Sequence, residues 1–377
     1  MLGLAWKFIR FDKAKSIGVV TAIVISIFLI GQQLGLMFYL MGLMGNLVGN
    51  APANNRQLWI IEAQSNNVNA INLIDSRYVQ EIGSLPGVMA SHPVVLAPAQ
   101  ASFLDGNTAG VTLVGAKVPG FVMGPVSTRV DQGEWLDLLQ PGAVSAEFYS
   151  AKNWKTDLYL DKPIEINGRG ASIQVITKNA QAFGASLLYT SIENARLYGN
   201  IPPSKVSIIL VDLSPGAVKT EVIDQIKASF PKLKAWDPQD LRAKTTMEIL
   251  ITSNMGMSFG TLVLFAMISG FFIIGLTLYS SALDRIKDYG TLKAIGAKNS
   301  FVNRLIIAQA FLFAVIGYLI AMFLLFGFKM GVAGSGLIID LNPGFLFFLL
   351  FITLFISIGG SLFAVRKIAK LEPASVF

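Results

Sequence analysis

Four stretches of the chain, residues 16–55, 256–283, 305–328 and 344–365, contain no Asp, Glu, Lys, Arg or His. Each holds the roughly 20 apolar residues that carry a helix across bilayer hydrocarbon. Lipid offers the backbone no hydrogen-bond partner, so such runs can only be helices that satisfy themselves. In a sequence of 377 residues that is 53% hydrophobic, four of them define a polytopic membrane protein. The first run outlasts a crossing and projects beyond the bilayer as a stalk. Residues 51–247, with the mixed composition of a globular domain, separate it from the second. The expected fold class is membrane α-helical, with four transmembrane helices and a large α+β extracytoplasmic domain inserted between helices 1 and 2.

The positions of the charges assign the sides. A formal charge of +7 could suit a nucleic-acid binder, yet residues 46–255 carry 17 basic and 18 acidic groups. A nucleic-acid-binding domain carries its basic patch on the folded body. Here the excess lies on short segments beside the apolar runs, as membrane topology requires, and no nucleic-acid partner is expected. Residues 284–304 hold five Lys/Arg against two Asp; Arg366, Lys367 and Lys370 follow the last run, and Lys7, Arg10, Lys13 and Lys15 precede the first. These segments share the cytoplasmic side, so both termini lie inside. In order, the chain reads as a cytoplasmic amphipathic segment (1–15) resting on anionic lipid, transmembrane helix 1 and its stalk (16–50), and the extracytoplasmic domain (51–247). A stalk continuous with helix 2 (248–283), a cytoplasmic loop (284–304) and helix 3 (305–328) follow, then a short extracytoplasmic turn (329–343), helix 4 (344–365) and a cytoplasmic tail (366–377).

A signal peptide competes for the N-terminus, because Ala51-Pro52-Ala53 offers a small-residue cleavage site. The run is far longer than the ~7–15 residues of a signal core, which favours a retained helix. Within it Gly31 and Gly35 form a small-xxx-small pair beside Gln32, a pattern that permits close helix approach and suits a homodimer interface. Gly45 and Gly49 form a second pair, and Met37, Met41 and Met44 are packing residues on one face.

In the globular stretch, residues 58–63, 111–114, 164–166, 172–177, 206–211 and 233–236 alternate or cluster β-formers and predict strands. Residues 73–84 and 216–230 carry helical spacing, the second with Val218, Val222, Ile223 and Ile226 as its stripe. Strand, helix, strand at both ends of the domain predicts two small lobes.

In the cytoplasmic loop, Ile286, Tyr289, Leu292 and Ile295 recur every three residues and fall near one helical face, ending at Gly296, a C-cap candidate. The spacing suits an interfacial helix on the headgroups and a knob for a cytoplasmic partner alike. The run from Asp288 through Tyr289, Gly290, Thr291, Leu292, Lys293, Ala294, Ile295 and Gly296 to Ala297 resembles the loop of FtsX/MacB-type ABC permeases, nearest their DevC-like branch. The ending Lys370-Leu371-Glu372-Pro373-Ala374 is similar to the family's tail. Tyr289 stands where the family usually has an aliphatic residue. Gln309 stands where the next helix usually carries Glu, so no role needing charge at 309 carries over.

The resemblance implies a permease subunit of an exporter in a bacterial inner membrane, working as a homodimer with two copies of a separate ATPase. Ile286, Asp288, Tyr289, Gly290, Leu292, Lys293, Ile295 and Gly296 would couple to that ATPase. A membrane-fusion adaptor and an outer-membrane channel are further partners it implies. It equally admits an FtsX-like regulator of a cell-wall hydrolase, or a lipoprotein-release or haem-export permease. The chain holds no G-x-x-x-x-G-K-[ST] phosphate loop, so ATP and Mg²⁺ belong to the partner and no cofactor is expected here. Cysteine is absent. His92 is the only histidine and precedes Pro93, which suits a surface position at a strand edge, and Asp131, Glu134 and Asp137 suit a solvated turn. Neither HExxH nor GxSxG occurs, so no catalytic or metal residue is expected. Ion-coupled pumps normally place ionisable groups at membrane depth; their absence from the four runs points to force delivered from outside the bilayer.

Overall fold

The computed structural model describes residues 2–369 apart from 12, 53, 118, 119, 185 and 285, so the tail motif at 370–374 lies outside the described residues. The chain divides into two compact units, Met1–Tyr39 with Gly256–Phe377, and Leu40–Met255.

The first unit is helical: α1 (Leu2–Phe11) and the start of α2 (Lys13–Met44), then, after the other unit, α9 (Met255–Asp284), α10 (Ile286–Ala294), α11 (Asn299–Ala333) and α12 (Pro343–Ala369). Four of these are long and apolar enough to cross a membrane: α2, α9, α11 and α12. Their shared core joins Ile23, Ile27, Ile30 and Leu34 of α2 with Phe313, Met322 and Leu325 of α11, and Leu349, Ile352 and Ile356 of α12. Without hydrophobic drive between helices in lipid, close packing must hold them together. A Cβ on Gly31 would stand 3.1 Å from Leu325 and 3.2 Å from Leu349, and one on Gly35 would stand 2.9 Å from Ile339.

The second unit begins with the end of α2 and α3 (Asn46–Asn50) and continues through β1 (Gln57–Glu62), β2 (Ile74–Asp75), α4 (Arg77–Gly83), β3 (Val88–Phe103), β4 (Thr108–Ala116), β5 (Val130–Gln132), β6 (Ala143–Glu147) and α5 (Ser150–Trp154). It ends with β7 (Lys162–Ile166), β8 (Arg169–Thr177), β9 (Ser186–Ser191), α6 (Ile192–Gly199), β10 (Lys205–Val206), β11 (Ile208–Leu213), α7 (Lys219–Ser229), β12 (Leu233–Trp236) and α8 (Pro238–Thr252). Ten strands form one mixed sheet in the order β12-β1-β11-β3-β4-β9-β6-β8-β5, with β7 bridging β3 and β8. This α+β domain stands between the first membrane helix and the other three.

β2 and β10 form a separate pair, but the ten-stranded sheet runs through both ends of the domain, where the sequence suggested two lobes, and β3 is the reason. Its 16 residues pair with β11, β4 and β7 in turn and so join both ends of the domain. Two prolines hide this strand from a sequence reading, because proline cannot donate to a ladder. Both sit where no ladder bond is needed. Ser207 N donates to Val94 O at 2.8 Å and Leu96 N to Ser207 Oγ at 2.9 Å, so even-numbered residues of β3 aim N–H toward β11. Pro98 then falls between the end of β11 pairing at Val94 and the start of β7 pairing at Ala101. Pro93 faces the other way, one residue beyond the last β4 pair at Val94.

Two local expectations also change. The helix expected over residues 73–84 forms only as Arg77–Gly83, because Ile74 and Asp75 pair with β10. The stalk is not continuous with helix 2: α8 ends at Thr252 and α9 starts at Met255, with Asn254 at φ +55° between them. Ser253 N–H and Oγ both bond to Ile249 O at 2.9 and 2.5 Å, and Asn tolerates the left-handed conformation that follows the end of α8.

Candidate functional site

The loop residues singled out by sequence form a helix with two different sides. Tyr289 is 1% exposed and lies in one cluster with Ala5 of α1 and Val302, Leu305 and Ile306 of α11, against which Leu4, Phe8 and Leu292 pack. Its ring stacks on Phe8 at 6.1 Å with 15° between planes. Gly290 is buried beside it, and Ile286 and Leu292 are half-buried. Asp288 and Gly296 are exposed, as is Ile295 at 77%. The i, i+3 stripe therefore divides: Tyr289 and Leu292 pack inward, Ile286 is half-buried, and Ile295, beyond the last helical residue Ala294, stands free of the core. The side chain of Lys293 lies outside the described residues.

Gly296, at φ +100°, makes that division possible. Ala297 N reaches back to Leu292 O at 2.9 Å, five residues earlier, the 6→1 bond of a Schellman termination. A Cβ would disfavour this left-handed turn.

The two departures from the family pattern meet in space. Tyr289 Oη donates to Gln309 Oε1 at 3.4 Å. An aliphatic residue at 289 needs no partner, whereas a buried phenol does, and the amide at 309 supplies an acceptor without bringing a charge into an apolar cluster. The sequence displayed both departures; their contact follows only from α10 folding back on α11.

The α+β unit contains a second constellation, which sequence reasoning missed. Asn50, fully buried at the end of α3, donates through Nδ2 to Ala180 O at 2.7 Å and Tyr189 Oη at 3.2 Å, and accepts from Arg129 through Oδ1. Its carbonyl accepts from Val126 N at 3.1 Å. Asn46 Nδ2 holds Gln181 O at 2.6 Å, and Phe183 N donates to Leu43 O at 3.1 Å. Residues 180–183 are thus strapped along the segment 43–50.

The far side of the strap is held by Glu147, which is 2% exposed. Its Oε1 accepts from Asn179 N at 2.9 Å; its Oε2 accepts from Ala180 N at 3.0 Å and Thr177 Oγ1 at 2.8 Å. Burial raises the Glu147 carboxyl above its ordinary range despite these donors. Burial also raises the Tyr189 phenol and lowers the Arg129 guanidinium. α8 closes the other flank: Thr246 Oγ1 meets Met41 O at 3.5 Å, and Gly45 leaves room for Arg242, whose Cγ would lie 2.5 Å from a Cβ there. Asn46 and Asn50, four apart in an apolar stretch, were the one visible signal, since amides at that spacing share a helical face.

The remaining candidates occupy ordinary structural positions. Gly31 and Gly35, proposed for a homodimer with Gln32, make their close approach to helices of this same chain, because α11, α12 and the segment at Ile339 fill the space beside them. Gly45 and Gly49 are likewise taken up by Arg242. His92 lies in β3 with Nε2 3.1 Å from Asp212 Oδ2. Glu134 and Asp137 cap the 3₁₀ turn Trp135–Leu139 reciprocally. Among the described residues, no group of three or more His, Asp or Glu converges as a metal site.

Residues 239–373 match the family model described as FtsX-like permease C-terminal, a span that contains α10 and Gln309. Comparison with curated proteins found no match. Among solved structures, the chain is similar to the periplasmic region of MacB from Actinobacillus actinomycetemcomitans, with 13% identity, a TM-score of 0.39, and coverage of 51% of this chain and 92% of that one. The extracellular domain of the noncanonic ABC-type transporter YknZ from Gram-positive bacteria matches with 14% identity and a TM-score of 0.35, over 48% of this chain and 100% of that one. A permease-protein domain from Porphyromonas gingivalis matches with 15% identity and a TM-score of 0.34, over 49% and 90%.

Proposed function

We propose that this chain, an FtsX-like permease by its residues 239–373, is the membrane subunit of an exporter driven by a separate ATPase that docks on α10. The observation that carries this reading is the two-sided character of α10. The helix and the turn that ends it offer exposed Asp288, Ile295 and Gly296 to a partner, while Tyr289 fixes the helix to α1 and α11. A push on the exposed side then moves the anchored helices instead of bending a loop, because packed interiors respond as units. α2 runs unbroken from Lys13 to Met44 and enters the strapped segment 43–50, which gives motion a route into the α+β domain. That domain works outside the membrane, and substrate is captured there and passed on without a central pore.

In this reading two copies of the chain assemble with two copies of the ATPase. In a cell with an outer membrane, an adaptor and an outer-membrane channel complete the path. The absence of ionisable residues from the four apolar runs supports an external source of force.

Ile295→Asp tests the docking side. At 77% exposure the substitution leaves the fold within about 0.5 kcal/mol, yet it places a charge where an apolar contact is proposed. Co-purification of the ATPase is expected to fall at least tenfold with membrane insertion unchanged. Retention of the ATPase by both Ile295→Asp and Asp288→Lys would remove α10 from the interface.

A further inference from the structure

We propose that the groove between the α1–α2 segment and α11 is a binding site for one anionic glycerophospholipid, with an acyl chain along the helices and the phosphate at Arg10 and Lys13. The proposal rests on the reading that places residues 1–15 at a membrane surface. The groove is open on one side and has a volume of about 520 Å³, within the range of clefts that hold small ligands. Its walls are Ile17, Val20 and Val24 on one side and Ile320 on the other, and no carboxylate among the described residues lines it.

Its polarity is confined to one end. Ser16 Oγ, in the floor, is committed to Ile9 O at 2.8 Å. Of the cations nearby, Lys15 is paired with Asp284 at 2.8 Å. Arg10 and Lys13 are exposed, line the groove, and make no ion pair among the described residues. Two cations that make no ion pair among the described residues, at the mouth of an apolar channel, complement an anionic headgroup and its chain together. The dimensions agree: Lys13 to Val24 spans about 16 Å of helix axis, close to half of the roughly 30 Å hydrocarbon core. Lys13 is the first residue of the membrane-spanning helix, which sets the cations at headgroup level.

The test uses the full chain in symmetric vesicles of equal phosphatidylglycerol and phosphatidylcholine, so that leaflet identity drops out and the outcome is independent of any ATPase. Lipid retained after mild detergent extraction is counted by mass spectrometry. Wild type is expected to retain phosphatidylglycerol preferentially. Arg10→Gln with Lys13→Gln should lower that preference about tenfold, whereas Arg10→Lys with Lys13→Arg should keep it. Ile17→Trp should reduce retained lipid of both kinds by filling the groove.

An unchanged preference in the double glutamine variant overturns the proposal. So does a disulfide-linked dimer of Thr21→Cys in intact membranes, which would put a second copy of the chain over the groove; the cysteine-free background makes that product unambiguous.

Discussion

Tyr289→Ala is expected to uncouple the membrane helices from the proposed ATPase while leaving the proposed docking side chains in place. Removing a fully buried aromatic costs about 3–5 kcal/mol, and here the loss falls on a cluster joining α10 to α1 and α11. The proposed ATPase should still be captured through Ile295 and Asp288, but its turnover should no longer respond to this chain. ATP-dependent change at a label in the α+β domain should also vanish. Tyr289→Phe separates packing from hydrogen bonding: it keeps the stack on Phe8 and loses the bond to Gln309, worth about 0.5–1.5 kcal/mol. A cycle with Gln309→Leu should show non-additivity, since the residues touch. Wild-type coupling in Tyr289→Ala would show that force does not travel through this anchor.

Glu147→Leu is expected to have an effect of similar size at the other constellation. It leaves Ala180 N buried without its acceptor, removes the acceptor of Asn179 N, and leaves Thr177 Oγ1 only its longer bond to Ala146 O at 3.3 Å. Each orphaned group costs about 1–3 kcal/mol. The strap at residues 179–183 should loosen, and hydrogen exchange should rise there and at residues 43–50 before it rises in the sheet. Asn50→Leu should reproduce the pattern more mildly, because it removes side-chain bonds to Ala180 and Arg129 but leaves Glu147 in place.

Glu147 also sets a pH dependence with a definite sign. Its carboxyl titrates above the ordinary glutamate value of about 4.3, because burial disfavours the charge. The folded chain therefore takes up this proton before the unfolded chain does. The cost of burying the charge, present at high pH, is relieved as pH falls through the raised value, and below the unfolded value the relief is complete. The Tm difference between wild type and Glu147→Gln, measured on the full chain in detergent, should move in favour of wild type as pH is lowered from 8 to 5. A difference that moves the other way would mean that the donors around the carboxylate outweigh its burial.

The four apolar runs and the placement of the soluble domain after the first were legible because charge-free length is a one-dimensional property, and lipid permits only self-satisfied backbone. The loop helix and its end at Gly296 were legible for a related reason: helical spacing and a left-handed cap act within a few residues. Other features resisted. β3 was hidden by Pro93 and Pro98, which its neighbours tolerate only because they end where they do. Gly31 and Gly35 announced close packing, but sequence cannot say against what, and the partners are Leu325, Leu349 and Ile339 of the same chain.

What the amino-acid order determined by itself was which segments enter the membrane, where the folded domain is inserted, and that a short helix stands between the second and third crossings. Tertiary structure alone decided which side of that helix is free, that Tyr289 and Gln309 are partners, and that Asn50, Arg129, Glu147, Ala180 and Tyr189 form one buried network. The reason is range. Hydrophobic length, helical period and caps are local in the chain, whereas a buried polar group takes its partner from whatever backbone the fold brings within 3 Å, and no spacing in the sequence records that.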